Sequence, residues 1–216
     1  MKLVGRIAGI GSRMRSGLAL VLIMVGIIGS PLAAAEPRSP AYLAPKKAIA
    51  APQGFYGLCK TYTWACATSR VSVVSGTAVL KLADSINRSV NLRTRQISDR
   101  VQYRQDEVWA LPTKRGGDCE DLVLLKKMRL INAGVPASSL LIATVLDLRG
   151  GRHAVLVLRT DAGDMVLDSL KNRIKHWIDT DYTFLKLQNP RHPQTWDAIF
   201  AGGRLQIAPP TIIAMR

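Results

Sequence analysis

Between residues 79 and 90 apolar side chains recur at helical spacing, with Val79, Leu82, Ala83, Ile86 and Val90 on one face. Asn87 and Asn91 sit one turn apart on the rim of that face. A second helix is expected over residues 119–133. Leu122, Val123, Leu125, Leu130 and Ile131 supply its buried positions, and Lys126, Lys127 and Arg129 favour the negative end of its dipole. Asp118 is a good N-cap, Asp121 three residues on makes a variant capping box, and Gly134 followed by Pro136 stops the helix. The period then changes. Residues 140–148, 153–160 and 165–168 read as strands, joined by turns at 149–152 and 161–164, and residues 182–187 read as a fourth. Helices first and an antiparallel sheet afterwards predict an α+β fold.

The N-terminal stretch has a different character. Lys2, Arg6, Arg13 and Arg15 precede an apolar run over residues 17–29, which ends in Ser30-Pro31-Leu32-Ala33-Ala34-Ala35. The run is about 13 residues, short of the roughly 20 that span a bilayer, and it closes on small residues. Residues 1–35 therefore read as a secretory signal peptide cleaved near Ala35, which places the mature chain in the periplasm or outside the cell. Pro37, Pro40, Pro45 and Pro52 make residues 36–53 read as a flexible leader, with one folded domain over 54–216. No internal repeat or second boundary is visible.

Charge narrows the partners only a little. The chain carries 30 basic and 15 acidic residues, a formal net charge of +15, and +11 once the four signal-peptide cations leave. The basic residues are scattered without a run of five or six, and export argues against nucleic acid as the working partner.

The chemistry concentrates in Gly116-Gly117-Asp118-Cys119-Glu120-Asp121, which sets a cysteine at the start of the second helix. A thiol becomes a strong nucleophile when its pKa falls, and a helix N-terminus or a neighbouring imidazole lowers it. Downstream, His153 follows the Gly150-Gly151 turn, and Asp168 ends the next strand. Cys119, His153 and Asp168 are therefore expected as nucleophile, general base and the carboxylate that orients the ring. The arrangement depends on strand register. A shift of two in the pairing leaves His153 and Asp168 diagonal neighbours on one face, whereas a shift of one separates them.

Asp118, Glu120 and Asp121 complicate the thiol, because nearby negative charge raises its pKa. Either these acids cap the helix and face water, or a hard cation such as Ca²⁺ binds their oxygens and reverses the local field. Two further cysteines, Cys59 and Cys66, suggest one disulfide in an exported protein and leave Cys119 free. No second Cys or His pair stands at zinc-ligand spacing. Trp109 reads equally as a groove-lining or a core residue.

Asn87 and Asn91, Val108-Trp109 with Pro112, Gly117-Asp118-Cys119-Glu120-Asp121, His153-Ala154-Val155-Leu156 and Leu167-Asp168 together resemble the bacterial transglutaminase-like cysteine peptidases. That resemblance implies a papain/transglutaminase-like fold and a Cys-His-Asp triad at Cys119, His153 and Asp168. It implies a periplasmic site of action and a protein substrate of the large surface-adhesin kind. It also implies a calcium requirement linked to Asp118 and Glu120, and an inner-membrane regulatory protein as a further partner. Leu122 stands where an aromatic is expected, and Ser169 where Asn often follows the aspartate. An acyl-transferring transglutaminase or amidase, or a catalytically silent binding module, would use the same fold.

Overall fold

The computed structural model describes residues 41–203. The signal-peptide expectation for 1–35 lies outside the described residues. Among the described residues, seven strands form one antiparallel sheet: β1 (Lys47–Ile49), β2 (Leu140–Leu146), β3 (Arg152–Thr160), β4 (Gly163–Leu167), β5 (Lys175–His176), β6 (Thr183–Gln188) and β7 (Trp196–Ala201). Their spatial order is β1-β7-β6-β2-β3-β4-β5. Four α-helices among the described residues precede most of the sheet in sequence: α1 (Leu58–Thr61), α2 (Thr77–Arg93), α3 (Asp99–Gln102) and α4 (Cys119–Asn132). This is the α+β, papain/transglutaminase-like architecture expected from the sequence.

Both faces of the sheet are covered, which explains why the central strands are continuously apolar. Leu140, Ile142, Ala154, Leu156, Leu158 and Leu167 meet the helices. Leu141, Ala143, Val145, Val155, Val157 and Val166 point into a second cluster with Trp177, Tyr182 and Phe184. Phe55, Trp109 and Trp196 seal the helix side with edge-to-face contacts at centroid distances of 5.1–6.1 Å. Trp109 is a core residue, 7% exposed.

Helix α4 is enclosed on most of its circumference. Leu122, Val123, Leu124 and Leu130 are fully buried, and so are Lys126 and Lys127. The two lysines, read from the sequence as favouring the negative end of the dipole, are thus enclosed in the core. Lys127 Nζ instead donates to Gln188 Oε1 across the core at 2.7 Å.

The leader assignment also needs correction over its described part. Leu43 is buried and its N–H donates to Asp164 Oδ2 at 2.9 Å, while β1 pairs with β7 at the sheet edge. Prolines are compatible with an edge strand because few of its N–H groups are needed for pairing. Pro45 and Pro52 flank β1 without interrupting it.

The β3–β4 register pairs Leu156 with Leu167 and Thr160 with Gly163. Continued by one residue, it sets Asp168 opposite Val155, with His153 two positions beyond. That is the diagonal arrangement, which keeps both side chains on one face.

Candidate active site

Cys119 occupies the first position of α4, half-buried, and is the free cysteine among the described residues, because Cys59 and Cys66 are joined in a disulfide. The backbone before it is tied down. The Gly117 N–H donates to the Arg95 carbonyl, and the Ile97 N–H to the Gly117 carbonyl, each at 3.1 Å. The Cys119 thiol donates to Glu120 Oε2 at 2.9 Å, and the Ala154 N–H is directed at the sulfur. The nucleophile candidate therefore abuts the β3 backbone one residue after His153.

His153 and Asp168 meet directly. His153 Nε2 lies 2.8 Å from Asp168 Oδ1, and both side chains are buried. With Nε2 engaged by the carboxylate, Nδ1 is the nitrogen left for a proton from elsewhere. Burial pushes the Asp168 carboxyl up, but hydrogen bonds from His153, Leu170 and Tyr182 outweigh it and hold the group below its ordinary value. The loop after Asp168 is pinned by α2 and the segment beyond it. Asn91 Nδ2 donates to the Asp168 carbonyl at 2.9 Å, Asn87 Nδ2 to the Asn172 carbonyl at 3.0 Å, and Gln96 Nε2 to the Ser169 carbonyl at 3.1 Å. The two asparagines on the rim of the first predicted helix thus shape the site.

The acidic residues divide into two groups. One oxygen each from Asp99, Asp118 and Glu120 lies within 4.8 Å of the others. Asp121 is elsewhere: its Oδ1 accepts the Ala110 N–H at 2.9 Å, which anchors the segment after Trp109. Asp99 therefore completes the cluster where the sequence suggested Asp121. Asp118 holds the N-cap position, but its Oδ2 accepts the Asp99 N–H at 3.2 Å instead of capping the helix.

Burial raises the carboxyl pKa of Asp99 and Asp118 and pushes Glu120 up to about 8 and Asp121 up to about 7. Burial, then the Glu120 charge, push the Cys119 thiol up as well. Without a counter-charge this is a poor setting for a thiolate. Asp99 Oδ1 and Asp118 Oδ1 are buried with no hydrogen-bond partner. Convergent carboxylate oxygens with spare lone pairs fit a hard cation of the Ca²⁺ type.

Sequence reasoning missed three residues here: Asp99, Lys126 and Tyr182. Asp99 stands 19 positions before Asp118 in a charged stretch without a motif. Lys126 is buried, with burial pushing its pKa down to about 7 and the Asp168 charge opposing that fall. Tyr182 O–H donates to Asp168 Oδ2 at 2.7 Å, although it reads in sequence as one more apolar strand position.

Comparison with known proteins supplies the wider setting. The family model of the bacterial transglutaminase-like cysteine proteinases matches residues 46–203. No curated protein matches the chain. Among solved structures the chain is similar to Legionella pneumophila LapG, with 27% identity and a TM-score of 0.45 over 51% of this chain and 65% of that one. An EGTA-treated LapG structure gives 27% identity and a TM-score of 0.45 over 51% of this chain and 63% of that one. A calcium-bound LapG structure gives 23% and 0.44 over 71% and 92%. The matched part spans less than two thirds of the first two LapG chains. With the family model covering well over half of its 216 residues, the chain belongs to the bacterial transglutaminase-like cysteine proteinases.

Proposed function

We propose that the chain is a periplasmic thiol endopeptidase that cleaves a peptide bond in an exported surface protein. The observation that carries this reading is the buried His153–Asp168 pair, whose histidine directly precedes the residue, Ala154, that turns its N–H to the Cys119 sulfur at the helix start. The N-terminal sequence of 1–35 and the Cys59–Cys66 disulfide support an oxidising compartment outside the cytoplasm.

Cys119 attacks the scissile carbonyl carbon, and its proton passes to His153 Nδ1. Asp168 keeps Nε2 protonated and stabilises the imidazolium that forms. The Cys119 N–H, at the first position of α4, is available to the oxyanion of the tetrahedral intermediate. His153 then gives its proton to the leaving amine, and water hydrolyses the thioester with His153 again as base.

Asp99, Asp118 and Glu120 would hold a Ca²⁺ ion. When bound, the ion supplies positive charge that offsets the buried carboxylates and orders the loop in front of α4. The protein partner suggested by the family resemblance is a large surface adhesin, with a membrane-bound regulator as a second partner.

The test incubates the mature protein and its Cys119→Ala variant with exported surface proteins of the same cell, followed by N-terminal mapping of the products. A new N-terminus that appears only with intact Cys119 is expected. Isopeptide products in the presence of added amine, without cleavage, would replace hydrolysis by acyl transfer.

A further inference from the structure

The Tyr182 hydroxyl is not needed to fill space. Its ring packs with Trp177, Phe184 and Val155 in the core on the far face of the sheet, where phenylalanine would serve as well. The hydroxyl adds one contact of its own, the 2.7 Å hydrogen bond to Asp168 Oδ2. That length is typical of an O–H donor to an ionised carboxylate.

Asp168 shows what this bond contributes. Oδ1 already accepts two bonds, from His153 Nε2 at 2.8 Å and from the Leu170 N–H at 2.9 Å. Both oxygens turn together about the terminal torsion, which is intrinsically broad and roughly two-fold. Tyr182, by engaging Oδ2, adds a second anchor to the two bonds on Oδ1 and fixes that torsion more firmly. The same ring lies against His153, with centroids 5.7 Å apart at an interplanar angle of 56°.

The backbone around Tyr182 is built to place it. Asp181 holds a left-handed conformation with φ 61°, unusual for a residue with a side chain, at the turn into β6. The Tyr182 N–H donates to Thr180 Oγ1 at 3.3 Å. Across the sheet Gly202 is also left-handed, at φ +80°, and a Cβ there would meet the Tyr182 carbonyl oxygen at 2.6 Å.

We propose that Tyr182 is a positioning residue of this site, whose hydroxyl locks the Asp168 carboxylate and whose ring supports the His153 imidazole. This rests on the assignment of Cys119, His153 and Asp168 as a triad. Asp168 is thereby clamped between Tyr182 and His153, and the ring is kept in the tautomer with Nε2 protonated and Nδ1 open.

Tyr182→Phe keeps the packing and removes only the hydroxyl. Two readouts on the full chain separate positioning from bulk stability. The first is the downfield proton resonance of the His153 Nε2–H, expected to be sharp in the wild type and lost to solvent exchange in Tyr182→Phe. The second is the rate of Cys119 alkylation by iodoacetamide, expected to fall about tenfold in the variant, the weight of one hydrogen bond to a charged group. In an Asp168→Asn background, removing the hydroxyl should slow alkylation no further. A resonance unchanged in the variant, or a tenfold loss repeated in the Asp168→Asn background, would overturn the proposal. A wild-type Cys119 no faster than a free thiol would instead sink the triad, and the resonance would still decide the clamp.

Discussion

Glu120 Oε2 lies 2.9 Å from Cys119 Sγ, so the thiol's hydrogen bond runs to a carboxylate on its own helix. Glu120 also belongs to the cluster with Asp99 and Asp118. A cation drawn to those oxygens competes with the thiol for Glu120 and offsets the charge that raises the sulfur's pKa. Removal of Ca²⁺ by EGTA is therefore expected to slow Cys119 alkylation at pH 7 by at least about tenfold, equivalent to one pKa unit of thiolate population. Added Ca²⁺ should restore it, and Asp99→Asn should raise the Ca²⁺ concentration needed. Asp121→Asn, outside the cluster, should not. Equal rates with and without chelator would remove the cation from the account.

The approach to Cys119 depends on a glycine. Gly116 has φ +125°, and a Cβ there would meet the Arg95 carbonyl oxygen at 2.0 Å. The same segment supplies the backbone bonds that hold Gly117 against 95–97. Gly116→Ala combines an unfavourable backbone conformation with a clash against main chain, and a loss of about 2 kcal/mol or more is expected. Chemical denaturation of the two proteins measures it. A change below about 0.5 kcal/mol, the size of an ordinary surface substitution, would show that this loop is not tightly fixed.

Buried lysines give the stability a distinctive pH dependence. Burial pushes the Lys127 pKa down to about 7 from an ordinary value of 10.5, and Lys126 behaves alike. Between those values the unfolded chain binds more protons than the folded one, so stability rises with pH. The penalty is full below about pH 7 and vanishes above about pH 10.5. Lys127→Met should be more stable than wild type at pH 6 by roughly 1–3 kcal/mol, since an apolar residue of similar volume replaces a buried charge. The gain should shrink steadily toward pH 10. A difference that stays constant from pH 6 to 10 would mean that Lys127 does not titrate on unfolding.

Much of this was legible in the sequence where a single physical period dominates. The apolar spacing of α2 and α4 marked both helices, and the continuous apolar runs marked β2, β3, β4 and β6. Those same runs hid the strand register. When both faces of a strand are buried, alternation no longer says which side faces which core, so pairing of His153 with Asp168 needed coordinates. Strand β1 was masked by the prolines that flank it, since edge pairing asks little of sequence. Nothing in the sequence marked Lys126 and Lys127 as buried, because charge ordinarily means solvent. Asp99 and Tyr182 act through folding partners far along the chain, and no local pattern marks either one.

The central claim is that Cys119 is activated by His153, and its ionisation measures that most directly. Intact-mass kinetics of iodoacetamide alkylation should be followed across pH 5–9 in saturating Ca²⁺, for the wild type and for His153→Ala. A wild-type thiol that reacts at pH 6 at least about tenfold faster than a free thiol of pKa near 8.5, with that advantage lost in His153→Ala, is the expected result. Two superimposable profiles, both following a free thiol, would contradict it.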